Sequence, residues 1–330
     1  MRRLLPIVFI ILALLPSCSR GRDGESVKLV LRYADNQPEG HPAAEAAKYF
    51  ASLVHSSTDG EIDVEVYLNG ELGSETSIFE QVRFGGVDFS RFSIGTLPPD
   101  MGEYRALMYP FLYRDREHMW SVLDGDIGKR LLDDSVEYGI IALAWFDAGL
   151  RSLYTIEQID DFSDFRGKTI RVQENDFIAS IFETIGVRTV QIPYGSVYSA
   201  LQMNRIDGAE NNIPSYVLAG HYECAKYYMI SRHMRTPEIL AMSMQAVDKI
   251  SAVNPEYVDV IKECARQSGL YERKLWVESE EYYMQIALDA GCVFAYPDKE
   301  LEAQLYDAMT TIDYLLDEKE RQLVEEIRNT

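Results

Sequence analysis

A single arginine lies inside a short β-prone stretch near the middle of the chain. Its neighbours Thr169, Ile170 and Val172 are β-branched and favour an extended backbone. Because side chains alternate between the two faces of a strand, Arg171 points away from the face on which Ile170 and Val172 would be buried. A planar guanidinium can donate two parallel hydrogen bonds to a carboxylate. We therefore hypothesise that Arg171 holds a carboxylate ligand, with a structural ion pair to a surface acid as the alternative.

The segments after this strand repeat a strand–helix order. A helix, a short strand and a second helix are predicted in turn, at residues 176–185, at 190–192 and from 193 onward. The polar segment 206–212, Ile-Asp-Gly-Ala-Glu-Asn-Asn, predicts a turn or loop. This unit carries a guanidinium at one end and the carboxamides of Asn211 and Asn212 at the other. We expect the rest of the protein to close over the ligand that Arg171 holds.

The part of the chain before this unit also alternates between strands and helices. Strands are predicted at residues 27–33, 62–68, 85–93 and 139–146. Helices are predicted to start at Pro42 and after Ser74, which is a suitable N-cap. Such alternation is typical of an α/β fold with mostly parallel strands. In such folds ligands bind beyond the carboxyl ends of the strands.

The pattern changes after Tyr216. Residues 221–228 predict a helix and 239–247 a strand. A stretch of about 35 residues without proline then follows Pro255 and runs to Ala290, which is long for a globular helix. It predicts either one helix that bridges two domains or two shorter helices. A closing helix is predicted at residues 301–316.

The length and charge of the chain limit its partners. A chain of 330 residues with 47% hydrophobic residues suits two domains of ordinary size. Its net charge of −21 argues against binding to nucleic acid and against adsorption to an anionic membrane surface. A small anion remains an allowed ligand, because a local group of arginines outweighs distant, salt-screened charges.

The first 25 residues predict an export signal and a flexible tether. Arg2 and Arg3 precede 12 mostly apolar residues at 4–15, fewer than the ~20 that a spanning helix needs. The sequence Leu-Pro-Ser-Cys at residues 15–18 resembles the cleavage site of bacterial lipoproteins, which implies that Cys18 carries the lipid. The alternative is an ordinary signal peptide with a chance cysteine. Both predict a periplasmic or cell-surface protein.

Three further cysteines, Cys224, Cys264 and Cys292, follow the predicted signal. An odd number leaves room for one intrachain disulfide at most. Their spacings do not suit a zinc site, and the histidines are scattered. We therefore interpret these cysteines as packing residues and expect no metal and no cofactor.

Several segments in a fixed order carry a family resemblance. They are residues 69–73 (NGELG), 112–120 (LYRDREHMW), 123–125 (LDG), the strand of Arg171, and 206–211 (IDGAEN). Together they resemble the extracytoplasmic solute receptors of the TRAP (tripartite ATP-independent periplasmic) transporters over residues 27–320. The resemblance implies a fold of the periplasmic-binding-protein type, with two α/β domains, each a mixed sheet flanked by helices. It also implies a cleft at the hinge and a long helix spanning both domains.

The same resemblance implies how the chain is divided. Domain I takes residues 27–147 and about 237–275, and domain II takes residues 148–236 and about 276–330.

The resemblance also implies roles for individual residues. Arg171 matches the strand arginine that makes a bidentate pair with the ligand carboxylate. Arg151 matches a second pocket arginine at the domain crossover, with a cap on a strand end as the alternative. Asn211 matches the pocket amide, and the alternative is a loop residue bonded to its own backbone. Tyr194 stands where the family often has an aromatic ring against the ligand, and the alternative is a core tyrosine.

A narrower resemblance concerns the ligand. Residues 88–91, 146–151 and 210–216 are similar to the branch that takes sugar acids, especially hexuronates, although Ile213 stands where that branch usually has Trp. A uronate needs a carboxylate clamp and several hydroxyl partners. Residues of suitable type for the hydroxyl groups are Glu75, Arg91, Asp147, Asn212 and His41.

The resemblance therefore implies a receptor that captures an organic acid, closes, and delivers it to the membrane subunits of a TRAP permease. A hexuronate is the first candidate ligand, and a C4-dicarboxylate or keto acid is the alternative with the same mechanism. A receptor that reports to a sensor kinase would share this pocket. An exported sugar-acid enzyme could use Glu75 or Asp147 as acid or base, but no nucleophile elbow, metal spacing or phosphate loop favours it.

Overall fold

The computed structural model describes residues 27–330, so the predicted export signal and Cys18 lie outside the described residues. The strands are β1 Leu29–Ala34, β2 Ile62–Tyr67, β3 Phe89–Ser93, β4 Ile140–Phe146, β5 Leu150–Thr155, β6 Thr169–Val172, β7 Arg188–Gln191, β8 Gly208–Asn211, β9 Tyr227–Arg235, β10 Glu238–Ser243 and β11 Val293–Ala295. The α-helices are α1 Pro42–Ser57, α2 Glu75–Arg83, α3 Gly102–Ala106, α4 Arg116–Leu123, α5 Asp126–Asp134, α6 Asp176–Glu183, α7 Val197–Gln202, α8 Ile213–Leu218, α9 His221–Cys224, α10 Met244–Val253, α11 Tyr257–Asp289, α12 Lys299–Met309 and α13 Glu318–Arg328.

The described strands form two mixed sheets. The first has the order β2–β1–β3–β10–β4, in which β10 runs antiparallel to both of its neighbours. The second has the order β11–β9–β5–β8–β6–β7, in which β5 runs antiparallel to β8 and β9. Five of the nine strand pairs in the described sheets are parallel, so the expected parallel majority is present, but β5 and β10 run antiparallel to their neighbours. The chain crosses directly from β4 to β5 and from β9 to β10, so it enters the other sheet without a returning helix that would make the strands parallel.

Helix α11 connects the two sheets as one continuous helix. Its first half packs on α1 and β4, and it also packs on α8, beside the second sheet. At about 1.5 Å per residue, 33 residues give it a length of roughly 50 Å. A Cβ atom at Gly269 would lie 3.0 Å from the carbonyl oxygen of Trp145, so this glycine lets the helix approach β4 closely. The alternative of two shorter helices is wrong.

Several local predictions are confirmed. Helix α1 begins at Pro42, and the hydroxyl of Ser74 accepts a hydrogen bond from the backbone N–H of Ser77 at the start of α2. The closing helix is present as α12, followed by a 3-10 turn at Thr310–Leu315. Helix α13, further on, packs against α3.

Two local predictions are wrong. Residues 208–211 were expected in a turn or loop but form the buried strand β8 between β5 and β6. A charged strand can lie there because Glu210 is paired with an arginine of β5. The helix expected at 221–228 ends at Cys224, and β9 starts at Tyr227; its second residue, Tyr228, is buried and stacks on Tyr154 of β5. Tyrosine rings favour a pleated surface, and here tertiary packing decides the structure.

The strand expected at 239–247 is also shorter than predicted. It ends at Ser243, whose hydroxyl accepts a hydrogen bond of 3.0 Å from the backbone N–H of Ala246 and so starts α10. Among the described helices, none combines the length and the apolar character needed to cross a membrane. The described cysteines, Cys224, Cys264 and Cys292, are not joined by a disulfide.

Candidate functional site

A cavity of about 260 Å³ lies between the two sheets, beyond the carboxyl ends of β1, β3, β6 and β8. This is the position that the α/β pattern predicted. The side of the first sheet contributes Asn36, Glu75, Arg91, Ser93 and Glu238 to its lining. The side of the second sheet contributes Arg151, Arg171, Gln173, Tyr194, Asn211 and Asn212.

Arg171 reaches the cavity from the middle of β6 and is only 3% exposed. Its Nε and Nη2 atoms donate to the backbone carbonyl of Ile192 at 2.9 and 2.8 Å. No carboxylate among the described residues pairs with it. Burial lowers the pKa of Arg171 because the charged form loses hydration that no close acid replaces. The Nη1–Nη2 edge of the guanidinium therefore remains available for an anion from the cavity.

Arg151, on β5, is buried beside Arg171 but has an acidic partner. Its Nε and Nη2 atoms donate to both carboxylate oxygens of Glu210 on the adjacent strand β8. Burial alone would raise the pKa of Glu210, but Arg151 and the nearby His233 outweigh burial and lower it to about 2. The pair is therefore ionised and electrically neutral at pH 7. It leaves Arg151 only its Nη1 side for contact with a ligand.

The polar groups at the end of β8 lie beside these arginines. The side-chain oxygen of Asn211 accepts a hydrogen bond of 2.9 Å from the backbone N–H of Asn212, and that of Asn212 caps α8 through Ser215. The two side-chain amide nitrogens have no partner among the described residues, so they are free donors at the cavity wall. The hydroxyl of Tyr194 donates to the carbonyl of Ser215 at 2.9 Å, which fixes its ring against the cavity.

The opposite wall is built around Arg91 on β3, which is 1% exposed. All five of its N–H groups are engaged. They contact the side chains of Asp35, Asn36, Glu75 and Glu238. Arg91 therefore has no free donor for a ligand in this structure. Its geometry instead holds three carboxylates in one place.

Glu75 and Glu238 present carboxyl oxygens at this wall. Glu75 accepts hydrogen bonds from Asn36 and from the backbone N–H of Ser93. Burial raises the pKa of Glu238 to about 8, and the attraction of Arg91 does not offset this because Glu75 and Asp35 repel the charged form. The Oε2 atom of Glu238 is buried and has no partner among the described residues. This wall can therefore accept hydrogen bonds through Glu75 and donate one through a protonated Glu238.

Two of the predicted ligand residues lie behind the cavity. His41 accepts a hydrogen bond from the backbone N–H of Ala43 through Nδ1 and contacts the hydroxyl of Ser215 at 3.3 Å through Nε2. Asp147 is fully buried at the crossover from β4 to β5, 3.1 Å from Nε of Arg116. Neither side chain reaches the cavity lining. These positions favour roles in the support of the site.

A direct hydrogen bond between described residues joins the two cavity walls. Nε2 of Gln173, just after β6, donates to the hydroxyl of Ser93 at the end of β3, at 3.0 Å. Sequence reasoning missed Gln173, although it shares the strand face of Arg171 by the period-two rule. Glu238 was missed as well. It could have been recognised because it is an acid at the start of an otherwise apolar strand, where a buried carboxyl group needs a partner.

No group of three or more His, Cys, Asp or Glu residues in the described part of the chain is arranged to hold a metal ion. The arrangement instead offers an unpaired buried cation at one wall and hydrogen-bonding carboxyl and amide groups around it. It can hold an anion with several hydroxyl groups.

Comparison with known proteins identifies the family. The model of the bacterial extracellular solute-binding proteins, family 7 (DctP), matches residues 33–314. A solute-binding protein of Chromohalobacter salexigens is 34% identical, over 77% of this chain and 75% of its own length.

Solved structures agree with this match. A TRAP periplasmic solute-binding protein from Bradyrhizobium sp. BTAi1, in complex with α/β-D-galacturonate, has 35% identity and a TM-score of 0.86, covering 91% of this chain and 99% of its own. Another from Pseudomonas putida F1, with bound D-glucuronate, has 31% identity and a TM-score of 0.86, covering 91% and 97%. The chain therefore belongs to the DctP family, the periplasmic solute-binding receptors of TRAP transporters.

Proposed function

We propose that this protein captures a hexuronate, or a closely related sugar acid, and delivers it to the membrane subunits of a TRAP permease. The observation that carries the proposal is Arg171, a buried guanidinium at the cavity wall with no acidic partner among the described residues. An unpaired buried charge is costly, and a ligand carboxylate on the Nη1–Nη2 edge would remove that cost.

The remaining cavity groups suit the hydroxyl groups of a sugar. Glu75 accepts hydrogen bonds, while the amides of Asn211 and Asn212 donate them. Tyr194 offers a flat apolar surface against a sugar ring. The two solved relatives that carry galacturonate and glucuronate support this choice of ligand class.

Closure of the two domains would complete the site. The two crossovers at residues 147–149 and 236–237 are short enough to act as a hinge, and α11 joins both sheets. The contact between Gln173 and Ser93 is made only when the walls are close. The division into domain I, 27–147 with about 237–275, and domain II, 148–236 with about 276–330, belongs to this proposal.

Two further features are part of the proposal. The protein binds its ligand without converting it, so Glu75 and Asp147 do not act as catalytic acid and base. Cys18 carries a lipid that anchors the exported protein to the membrane, and residues 19–25 form the tether.

The test is calorimetric titration of the protein from residue 26 onward with galacturonate, glucuronate, succinate, a 2-oxoacid and the neutral sugar galactose. We expect binding of the uronates and none of galactose, which lacks the carboxylate. The titrated uronate should be recovered unchanged after prolonged incubation. Binding of succinate or the oxoacid alone would contradict the ligand class but retain a carboxylate receptor. Binding of galactose as tight as that of galacturonate would contradict the role of Arg171.

A further inference from the structure

The two walls of the cavity differ sharply in charge. On the wall of the second sheet, Arg171 pairs with no acid in the described part of the chain, and Arg151 is neutralised by Glu210. On the wall of the first sheet, one cation, Arg91, serves three carboxyl groups. The cavity therefore has a cationic wall and an acidic wall.

Among residues 27–330, the three acids of the acidic wall share a single cationic partner. Asp35, Glu75 and Glu238 all bond to Arg91 and to no other cationic side chain in the described part of the chain. All three side chains are at most 9% exposed, so water screens them weakly. Even with Glu238 neutral, two carboxylates face one guanidinium.

We infer that this acidic wall determines specificity by excluding a second carboxylate, so the site accepts sugar acids with one carboxylate and rejects those with a carboxylate at both ends. This inference rests on the proposed function. A ligand whose carboxylate contacts Arg171 places its far end against Glu75 and Glu238. A hydroxyl or ring oxygen there can exchange hydrogen bonds with these groups, whereas a carboxylate meets like charge.

Glu238 gives this selection a dependence on pH. Its carboxyl group faces Arg91 and Glu75, with Asp35 and Arg151 also nearby. Burial raises the pKa of Glu238 to about 8, so the acidic wall gains a further negative charge between pH 7 and pH 9. Sugar acids with two carboxylates are fully ionised throughout this range, since carboxyl groups titrate near pH 4. Their rejection should therefore grow with pH.

The experiment compares three acids of one stereochemical series by calorimetric titration at pH 7. Galacturonate is the reference, galactarate carries a carboxylate at both ends, and galactonate is open-chained like galactarate but has one carboxylate. We expect galactarate to bind at least about tenfold more weakly than galactonate, because like charges are brought together at the acidic wall. Equal binding of galactarate and galactonate overturns the inference. The inference is also overturned if galactonate and galactarate both bind equally weakly compared with galacturonate, because the closed sugar ring would then determine the affinity.

Failure of the proposed function gives a different result. If galacturonate itself does not bind, both the proposed function and this inference are wrong. If galacturonate binds tightly and galactarate binds as well as galactonate, only the inference is wrong.

Two variants locate the effect. Asp35→Asn removes one charge from the wall without touching the cavity lining and should reduce the galactarate-to-galactonate ratio of Kd several-fold at pH 7. The second variant, Glu238→Gln, tests the pH dependence of this ratio, because glutamine does not titrate. The ratio should rise between pH 7 and pH 9 in the natural protein and stay constant in Glu238→Gln. An equal rise in both proteins would overturn the assignment of this effect to Glu238.

Discussion

Replacement of Arg171 by alanine tests the main contact of the proposed site. The guanidinium is 3% exposed, bonds only to the carbonyl of Ile192 among the described residues, and offers a free edge to the cavity. Loss of one partner from a buried charge pair costs about 2–5 kcal/mol. At about 1.4 kcal/mol per factor of ten, we expect the Kd for galacturonate to rise about 30- to 4,000-fold.

The stability of the free protein distinguishes binding from a structural role. Arg171→Ala removes two hydrogen bonds to a carbonyl, but it also removes a buried cation that pairs with no acid among residues 27–330. These effects oppose each other, so we expect the Tm of the ligand-free protein to change by less than about 3 °C. A structural ion pair would give the opposite result, a large fall in Tm with unchanged affinity.

The assay is calorimetric titration together with thermal unfolding in the absence of ligand. Arg188→Ala is the matched control, because Arg188 lies opposite Thr169 on the neighbouring strand β7 and is exposed. It should leave both the affinity and the Tm unchanged. A Kd for Arg171→Ala within threefold of the natural protein would refute the carboxylate clamp.

Three other predictions concern the pairs behind and across the cavity. Glu210→Gln should lower the free energy of unfolding at pH 7 by about 3 kcal/mol, because it breaks the buried pair with Arg151. Since the folded-state pKa of Glu210 is about 2, below its ordinary value of 4.5, the natural protein loses this stabilisation as the pH falls from 4.5 to 2. The denaturant unfolding curves of the natural protein and Glu210→Gln should therefore converge at low pH. A difference in unfolding free energy that persisted at pH 2 would contradict the assignment. Glu238→Gln should make the ligand-free protein more stable than the natural protein, by an amount that grows between pH 5 and pH 8 to a few kcal/mol. The reason is that Glu238, with a folded-state pKa of about 8, ionises in the unfolded chain but stays protonated in the folded protein over that range. Thermal melts of both proteins at pH 5 and pH 8 measure this, and a difference in Tm that is the same at both pH values would count against it. Gln173→Ala removes the contact with Ser93 between the walls and should open the free protein, which small-angle scattering would detect as a larger radius of gyration, with a few-fold loss of affinity. An unchanged radius would show that this contact does not hold the walls together.

Local features of the fold could be predicted from short stretches of sequence. The period of two placed Arg171 opposite the buried side chains of its strand, and Pro42 and Ser74 marked the starts of two helices. These signals act within a few residues and need no knowledge of the rest of the chain. The ordered segments that resemble TRAP receptors predicted the family in the same way.

Features that depend on distant residues could not be predicted locally. The polar segment 208–211 gave no strand signal, because only the pairing of Glu210 with Arg151 allows a carboxylate to be buried there. The length of α11 was also ambiguous, since contacts with both sheets stabilise a helix of that length.

The sequence by itself determined the class of fold, the family and the orientation of Arg171, because these follow from spacing, composition and short motifs. Only the tertiary structure decided which charges are compensated. Arg91 and Glu238 are 147 residues apart and meet across two paired strands, whereas Arg171 meets no acid at all among the described residues. Three arginines of equal chemistry thus acquire different roles, because the cost of burying each one depends on the partners that the fold brings to it.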